Sequence, residues 1–506
     1  MDLDSKSFDY EPLTRASTRR VPAEAEPVKR FSLRHPSKNV HSFKDETERA
    51  EPKLAATLAS AVKTKGQVWS SRRGHTFSFV VLFLYTLMAY LRPYDLTPAL
   101  AWTFSLPYWM AVAMLAAFIP SQLIAEGNLT ARPREVNLAL LLGLMALLSM
   151  PLAISPALAW QTFNLTFMKT IIVFIVMVNA IRTEGRLRIM MLLSLAVGVY
   201  MSFRAMNNYG AGNAASVDNR AAAEISNFFG NPNSLAQYLA MMIPLAACLC
   251  LGESNIFKKL VYGAGALLMA AGILATLSRG GFLALLAAGA VLAFKLFRHN
   301  RPRAIGLIMA AVIAAVLFAP GRYNERMSSI TDPSSESSAS ARRELLYRSI
   351  SVSLHKPILG VGIGNFEFVS IHGQVTHNAY TQVSSEMGIV ALIIYVMFMV
   401  GSYKRLRQIE HETLQHRQRL KTYYLAVGLQ ASLWAYMVGS FFLSAAYEWS
   451  YVYTIVAYAI CLGRLHDNRM AQHDKDVTAT FDARGLEETP ALAAPPFGDL
   501  SGMQTR

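Results

Sequence analysis

Long apolar stretches alternate with short polar links from residue 75 to residue 464. Each stretch is long enough, as a helix, to cross a hydrocarbon core of about 30 Å. The pattern predicts an all-α polytopic membrane protein with about twelve transmembrane helices. The predicted spans are 75–91, 102–124, 136–154, 163–181, 187–203, 233–251, 257–277, 281–297, 303–319, 383–401, 423–443 and 447–464.

Lys and Arg residues fall on alternate links, and short basic loops are retained in the cytoplasm. The basic links contain Arg132 and Arg134, Arg182 to Arg188, Lys258 and Lys259, Lys295 to Arg303, and Lys404 to Lys421. This distribution predicts that both termini are cytoplasmic. The opposite face then carries the 204–232 loop, the 278–281 turn and a large loop at 320–382, which we expect to be partly helical.

Composition agrees with a membrane setting, since 53% of the residues are hydrophobic and 16% are charged. The net charge of +15 does not favour nucleic acid as a partner, because membrane topology already explains where the basic residues lie. Residues 1–74 and 466–506 are polar, and each is predicted to be a disordered cytoplasmic tail, the first of them basic. Residues 75–465 form the predicted transmembrane domain.

The three cysteines, Cys248, Cys250 and Cys461, all lie in predicted spans. Their positions indicate neither a disulfide framework nor a metal site. No cofactor is expected from the sequence.

Arg279 lies in the turn Leu277-Ser278-Arg279-Gly280-Gly281, on the face from which positive charge is normally excluded. One explanation is that its side chain extends to lipid headgroups. The two glycines would also permit close approach of a backbone or a ligand. We favour a functional role for Arg279.

Arg220 lies in the 204–232 loop, ahead of the turn Phe228-Phe229-Gly230-Asn231-Pro232-Asn233. The turn indicates a structured return to the membrane, with Asn233 expected to cap the next helix. A solvated loop arginine is the alternative for Arg220. Arg204, at the outer end of its predicted span, is a further candidate for the same cavity.

The large outer loop is predicted to become helical at Ala341, and Arg343 in that helix could reach a phosphate. Solvated helix charges are the alternative for Arg343 and the favoured one for Arg348. The glycines of 357–366 resemble a phosphate loop only superficially, because no Lys-Ser/Thr follows them. We interpret this stretch as a structural turn.

His377 stands next to Asn378, where the loop meets an apolar stretch, and is a candidate reactive group at the water–lipid boundary. Glu386, nine residues later, is expected inside the next span and therefore needs a partner. It either faces a polar cavity or makes a structural hydrogen bond to a neighbouring helix end.

Taken together, these motifs resemble the O-antigen ligase and polymerase superfamily. The resemblance rests on Ser278-Arg279-Gly280, the element from Arg220 to Asn233, the stretch from Arg343 to Phe366, and His377-Asn378-Ala379-Tyr380 with Glu386-Met387-Gly388. It covers roughly residues 75–465. It implies a GT-C-like inner-membrane glycosyltransferase of lipopolysaccharide or surface polysaccharide biosynthesis, with its active face in the periplasm.

The resemblance further implies that a glycan passes from undecaprenyl diphosphate to an acceptor hydroxyl, such as one on lipid A core. The residues suit this reaction: a diphosphate leaving group needs a cation, and arginines are available where clustered carboxylates for Mg²⁺ are not. We expect Arg220 and Arg279 to bind the diphosphate and His377 to act as the base, with inversion and without a metal. Arg343, Asn378, Glu386, Asn233 and Arg204 are candidate substrate-binding residues.

Other functions remain open. A polymerase that extends the carrier-linked glycan, or a ligase that glycosylates protein, would use the same chemistry. A transporter would instead bind its substrate near the membrane midplane, whereas the candidate polar residues here cluster at one face. A non-catalytic assembly protein would tolerate replacement of the Arg and His residues.

Overall fold

The computed structural model describes residues 74–92, 98–210, 230–299, 337–414 and 420–487, with five further positions between 301 and 309. Within these ranges all regular secondary structure is helical and no strand is present. The prediction of an all-α chain is therefore confirmed for the described residues. Arg220 and almost all of the predicted 303–319 span lie outside them.

The first eight α-helices precede the turn that contains Arg279. They are α1 (Thr76–Leu91), α2 (Leu106–Glu126), α3 (Arg134–Ser149), α4 (Pro156–Thr162), α5 (Met168–Ala180), α6 (Glu184–Gly210), α7 (Pro232–Gly252) and α8 (Ile256–Thr276). A π-helical turn, Phe163–Phe167, joins α4 to α5. One continuous helical rod of Pro156–Ala180 results.

Six α-helices follow in the described ranges. They are α9 (Arg279–His299), α10 (Ser337–His355), α11 (Ala379–Met387), α12 (Ile389–Leu414), α13 (Leu420–Gly439) and α14 (Thr454–Glu487). The helix predicted at Ala341 is present as part of α10. Gly388 separates α11 from α12, so the helix that carries Glu386 ends before the long apolar helix begins.

Eight helices in the described part of the chain are long and apolar enough to cross a membrane. They are Trp102–Ile124, Arg134–Leu152, Pro156–Ala180, Glu184–Asn208, Pro232–Gly252, Ile256–Thr276, Arg279–Arg298 and Ile389–Leu414. The chain is thus a polytopic membrane protein. Helix α1 is a shorter apolar helix, and α13 and α14, at the last two predicted spans, are not among the eight. Twelve crossings remain a prediction.

Helix α7 lies at the centre of the bundle, where it packs against α8, α9 and α13. In α7, 72% of the apolar window is buried, compared with 17% for Trp102–Ile124 at the periphery. Small residues allow the close packing: a Cβ added to Gly428 of α13 would lie 3.0 Å from the Cβ of Cys248 in α7.

Helix α14 continues well past residue 465, where the sequence predicted a disordered tail to begin. Side-chain contacts hold this extension to the bundle: Arg405 pairs with Asp467, Arg469 pairs with Glu184, and His466 is hydrogen-bonded to Glu412. Because no proline interrupts 466–487 and these contacts anchor it, the helix reaches Glu487. The disordered tail predicted for 466–506 stays a prediction, and its described part is helical as far as Glu487.

Candidate functional site

The backbone bends sharply at His377, whose φ of 52° lies in the left-handed region. Asn378 follows as the N-cap of α11, and its Oδ1 accepts hydrogen bonds from the backbone N–H groups of Tyr380 and Thr381 at 2.9 and 3.1 Å. Thr376 Oγ1 donates to the Asn378 carbonyl at 2.9 Å. Asn378 therefore fixes the start of α11 and, with it, the position of His377.

The imidazole of His377 is half-buried. Burial lowers its pKa below the ordinary value, and the positive charge of the Arg342 guanidinium lowers the pKa further. At neutral pH the ring is consequently uncharged, and one nitrogen can accept a proton or a hydrogen bond. Such a histidine is suited to act as a base.

Arg342, which we had not singled out, is the arginine of α10 that acts on His377. It is half-buried, whereas Arg343 is exposed. Arg348 Nε donates to the carbonyl of Val369 at 2.7 Å, so its side chain holds the loop and is not merely solvated. Successive residues on a helix point about 100° apart, and the sequence alone did not show which of these arginines influences the pKa of His377.

Arg279 is the first residue of α9, directly after a turn built around Ser278. Leu277 adopts a left-handed φ of 51°, and the Ser278 carbonyl accepts from Phe282 N–H at 3.0 Å. Ser278 Oγ accepts from Gly281 N–H at 3.3 Å. The Arg279 guanidinium thus belongs to a helix N-terminus, where the backbone dipole also favours an anion.

The glycines after Arg279 bring protein and not ligand close to the turn. A Cβ added to Gly280 would lie 2.8 Å from Phe442 Cβ, and one added to Gly281 would lie 2.3 Å from Ala236 Cβ. Gly281 therefore lets α9 approach the first turns of α7. Gly280 lets the chain after α13 approach α9.

Asn231, and not Asn233, caps α7. The Asn231 side chain accepts from Asn233 N–H at 2.8 Å, and Pro232 occupies the first helical position. The predicted cap at Asn233 is wrong, because Pro232 takes the first helical position and the helix starts two residues earlier than expected. Asn233 instead accepts a hydrogen bond from the hydroxyl of Ser278 at 2.8 Å. It links the start of α7 to the turn before Arg279.

Residues 440–448, which connect α13 to α14, contact both candidate elements. The carbonyl of Ser440 accepts from Ala379 N–H at 2.8 Å, and Ser444 Oγ lies 2.8 Å from Thr376 Oγ1. Phe442 packs on Gly280. The 440–448 segment therefore joins the His377 turn to the Arg279 turn at one end of the bundle.

Our sequence interpretation assigned most of 440–448 to the ends of two spans and missed this role. A signal was present in Glu448, an acidic residue in an otherwise apolar hairpin. Its Oε2 atom is buried without a hydrogen-bond partner in the structure.

Glu386 is buried and makes two hydrogen bonds within the protein. Its Oε2 accepts from Gly364 N–H and from the Tyr447 hydroxyl, each at 2.7 Å. Of the two interpretations of Glu386, these contacts favour the structural hydrogen bond over a polar cavity. Its expected place inside the long span is wrong, since α11 ends at Met387 and Gly388 breaks the helix.

The glycine-rich stretch after α10 is a structural turn that packs on the end of α11. Val361 N–H donates to Ser385 O, and Gly362 N–H donates to Glu386 O, both at 2.9 Å. Asn365 Oδ1 accepts from Ser155 N–H at 2.7 Å, which ties the same turn to the start of α4. The turn's backbone groups thus bind protein, as the structural interpretation predicted.

Arg204 lies in the last turns of α6, as expected for a residue at the outer end of its span. Its Nε atom is buried and has no hydrogen-bond partner in the structure. Ser202, two residues before Arg204, packs against Gly272 near the end of α8 at Thr276, so Arg204 lies at the same end of the bundle as the Arg279 turn.

The other end of the bundle holds a separate set of ion pairs. These are Arg182 with Glu126, Arg188 and Lys421 with Glu253, and Lys295 with Glu410. Several of the helices near these pairs start at the His377 and Arg279 turns, so the ion pairs mark the opposite end of the bundle. Among the described residues, no group of three or more His, Cys, Asp or Glu side chains could hold a metal ion.

Comparison with known families gives a match in the region that contains these turns. Residues 264–396 match the O-antigen ligase family. The matched segment includes Arg279, Arg342, His377 and Glu386, and it confirms the resemblance noted from the sequence. No curated protein matches the chain. The match indicates a membrane enzyme of the O-antigen ligase and polymerase type, glycosyltransferase-like and acting on glycan- or lipid-linked substrates.

Proposed function

We propose that the protein transfers a glycan from undecaprenyl diphosphate to an acceptor hydroxyl as an O-antigen ligase, without a metal ion and with inversion at the sugar. The observation that carries the proposal is that the 440–448 segment contacts both the Arg279 turn and the His377 turn. A cation at a helix N-terminus and an uncharged imidazole are thereby assembled at one end of the bundle.

Arg279 stabilises the leaving diphosphate. As the bond from the sugar's C1 to the diphosphate oxygen breaks, negative charge grows on that oxygen. A charge-assisted hydrogen bond from a guanidinium is worth about 1.5–3 kcal/mol, which is roughly ten- to hundredfold in rate when the bond forms only in the transition state. The N-terminus of α9 adds its dipole to the same oxygens. Arg220, outside the described residues, is proposed as the second diphosphate ligand.

His377 takes the proton of the acceptor hydroxyl. The hydroxyl oxygen attacks C1 from the side opposite the diphosphate, so the configuration at C1 inverts while the proton passes to the imidazole. The lowered pKa keeps the ring uncharged and able to accept that proton at neutral pH. Asn378 positions His377 by capping α11.

The other candidate residues support this pair. Asn233 positions the Ser278-Arg279 turn, and Glu386 holds the glycine-rich turn against α11. Arg343 and Arg204 remain candidates for contacts with the donor or the acceptor. We assign the reacting end to the periplasmic face of the bacterial inner membrane, because the predicted basic links lie at the opposite end and such links stay in the cytoplasm.

Glycan display in a host that lacks its own ligase tests the proposal. Wild type is compared with Arg279→Ala and His377→Ala at matched expression, and lipopolysaccharide and carrier-linked glycan are resolved on one gel. Arg298→Ala at the far end of α9 and His411→Ala, both exposed positions, are the controls.

Capped lipid A core in wild type and both controls, with carrier-linked glycan accumulating in the two site variants, supports the ligase. Long carrier-linked chains without capping indicate a polymerase. Transfer of the glycan to protein indicates a protein ligase. Wild-type capping in both site variants overturns the catalytic assignment.

A further inference from the structure

Helix α10 has one face packed on the protein and another that remains exposed. Leu345, Ser349, Val352 and Ser353 are buried against the rest of the chain. On the other side, Tyr347, Ile350 and Leu354 recur at helical spacing, and Ile358 follows in the next turn. These four apolar side chains are 66%, 42%, 66% and 68% exposed. We call them the outer seam of α10.

Basic residues surround the outer seam. Arg343, Arg348 and Lys356 are all exposed, although Nε of Arg348 also binds the Val369 carbonyl, while Glu344 is the exposed acidic residue of the same helix. An apolar strip with long basic side chains around it is typical of helices that lie in the plane of a lipid surface. The stems of Arg and Lys cover apolar surface while their charged groups reach phosphates.

The carboxyl end of α10 lies at the level where two membrane-crossing helices end. Ile389 N–H, at the start of α12, donates to the carbonyl of Pro357 at 2.7 Å. Ile154 N–H, just after the span Arg134–Leu152, donates to the carbonyl of Val361 at 3.2 Å. Ile358, which lies between these two contacts, is therefore exposed beside the point where the two spans end, and the outer seam runs from there along α10.

We propose that the outer seam of α10 docks onto the surface of the membrane, with its apolar side chains at the boundary between headgroups and acyl chains and its basic residues on lipid phosphates. The continuity with two spans and the positive rim favour lipid over a protein partner. Anionic headgroups strengthen the contact, because each basic residue near the surface is attracted to them.

Docking would also fix the height of the candidate site. Arg342 is on the same helix and acts electrostatically on His377. A helix held at the headgroups keeps that pair at the depth of a lipid-linked diphosphate, a consequence that rests on the proposed function. The docking itself does not depend on the reaction, and its test needs no glycan.

A fluorescent probe on cysteine tests the docking in the full-length protein. Leu354→Cys and Ile350→Cys are labelled and reconstituted in vesicles of phosphatidylethanolamine and phosphatidylglycerol that contain a lipid with a shallow doxyl quencher. Glu344→Cys is the matched control, since it is exposed on α10 and lies about 80° around the helix from Leu354 and about 120° from Ile350. Labelled wild type measures the signal from Cys248, Cys250 and Cys461.

We expect several-fold stronger doxyl quenching at positions 354 and 350 than at 344, with iodide in the water showing the reverse order. Quenching should rise with the fraction of phosphatidylglycerol, and replacement of Arg343, Arg348 and Lys356 by Gln should remove that rise. Strong iodide quenching at 354 would show a solvated face and overturn the proposal. Protection from both quenchers would show a protein cover and would overturn it equally.

Discussion

The hydroxyl of Ser278 donates to the side-chain oxygen of Asn233 across 2.8 Å and so joins the first turn of α7 to the turn that presents Arg279. The two residues are 45 positions apart, and the rest of α7 and all of α8 lie between them. Since both are buried or partly buried at the candidate site, the bond holds the guanidinium-bearing turn against the central helix.

Loss of this bond should lower glycan transfer without unfolding the protein. We expect Ser278→Ala and Asn233→Ala each to reduce kcat/KM roughly fivefold, which corresponds to about 1 kcal/mol for one hydrogen bond. The double variant should lose little more than either single one, because both changes remove the same bond. Asn255→Ala is the control, as it removes a helix cap at the other end of the bundle. Additive losses in the double variant would argue against a shared bond.

The acid limb of the pH profile should report His377. Its pKa is lowered by burial and by Arg342, and the base must be uncharged, so transfer should persist as pH falls below 6.5, the ordinary value for His, and decline only through the lowered pKa. Arg342→Gln removes one lowering influence and should move the limb to higher pH. Values of kcat/KM measured across pH give the midpoint of the acid limb and therefore its shift.

The exposed Arg343→Gln, one residue along α10, serves as the comparison and should leave the midpoint of the acid limb in place. An unchanged midpoint in Arg342→Gln would show that Arg342 does not act on the titrating group.

Gly388 should tolerate no side chain. Its φ is +92°, and an added Cβ would lie 2.1 Å from the carbonyl oxygen of Ile358. Gly373 also has a positive φ of +64°, but its Cβ would meet nothing within 4 Å. Gly373→Ala should therefore cost only backbone strain, about 1–2 kcal/mol, whereas Gly388→Ala should cost more and separate α11 from the Pro357 turn. Melting temperatures in detergent compare the two, and equal losses would contradict the steric argument.

Glu386 should matter chiefly for stability. Glu386→Ala leaves the Gly364 N–H and the Tyr447 hydroxyl buried without an acceptor, at about 1–3 kcal/mol for each unsatisfied group. Glu386→Gln keeps an acceptor oxygen and should lose less, and Tyr447→Phe should remove only one of the two bonds. We expect the melting temperature to be lowest for Glu386→Ala and less reduced for Glu386→Gln and Tyr447→Phe. The KM of the folded protein should stay constant. A large rise in KM with unchanged melting would instead place Glu386 on the substrate.

The sequence by itself was sufficient for the class of protein and the neighbourhood of the site. Apolar runs long enough to cross a membrane predicted a polytopic α-helical chain, because hydrocarbon requires every backbone group to be bonded within its own helix. Motifs at Arg279 and His377 led to the O-antigen ligase resemblance, which the family match at 264–396 confirms. These signals are local, so a linear pattern carries them.

Only the tertiary structure decided which distant residues meet. Asn231 takes the cap expected of Asn233, Arg342 and not Arg343 lowers the pKa of His377, and the 440–448 segment bridges two turns that lie far apart in the chain. The break at Gly388 likewise removes Glu386 from the span and gives it to Gly364 and Tyr447. Each outcome depends on helix rotation and on close packing between remote segments, and the order of residues along the chain does not specify either one locally.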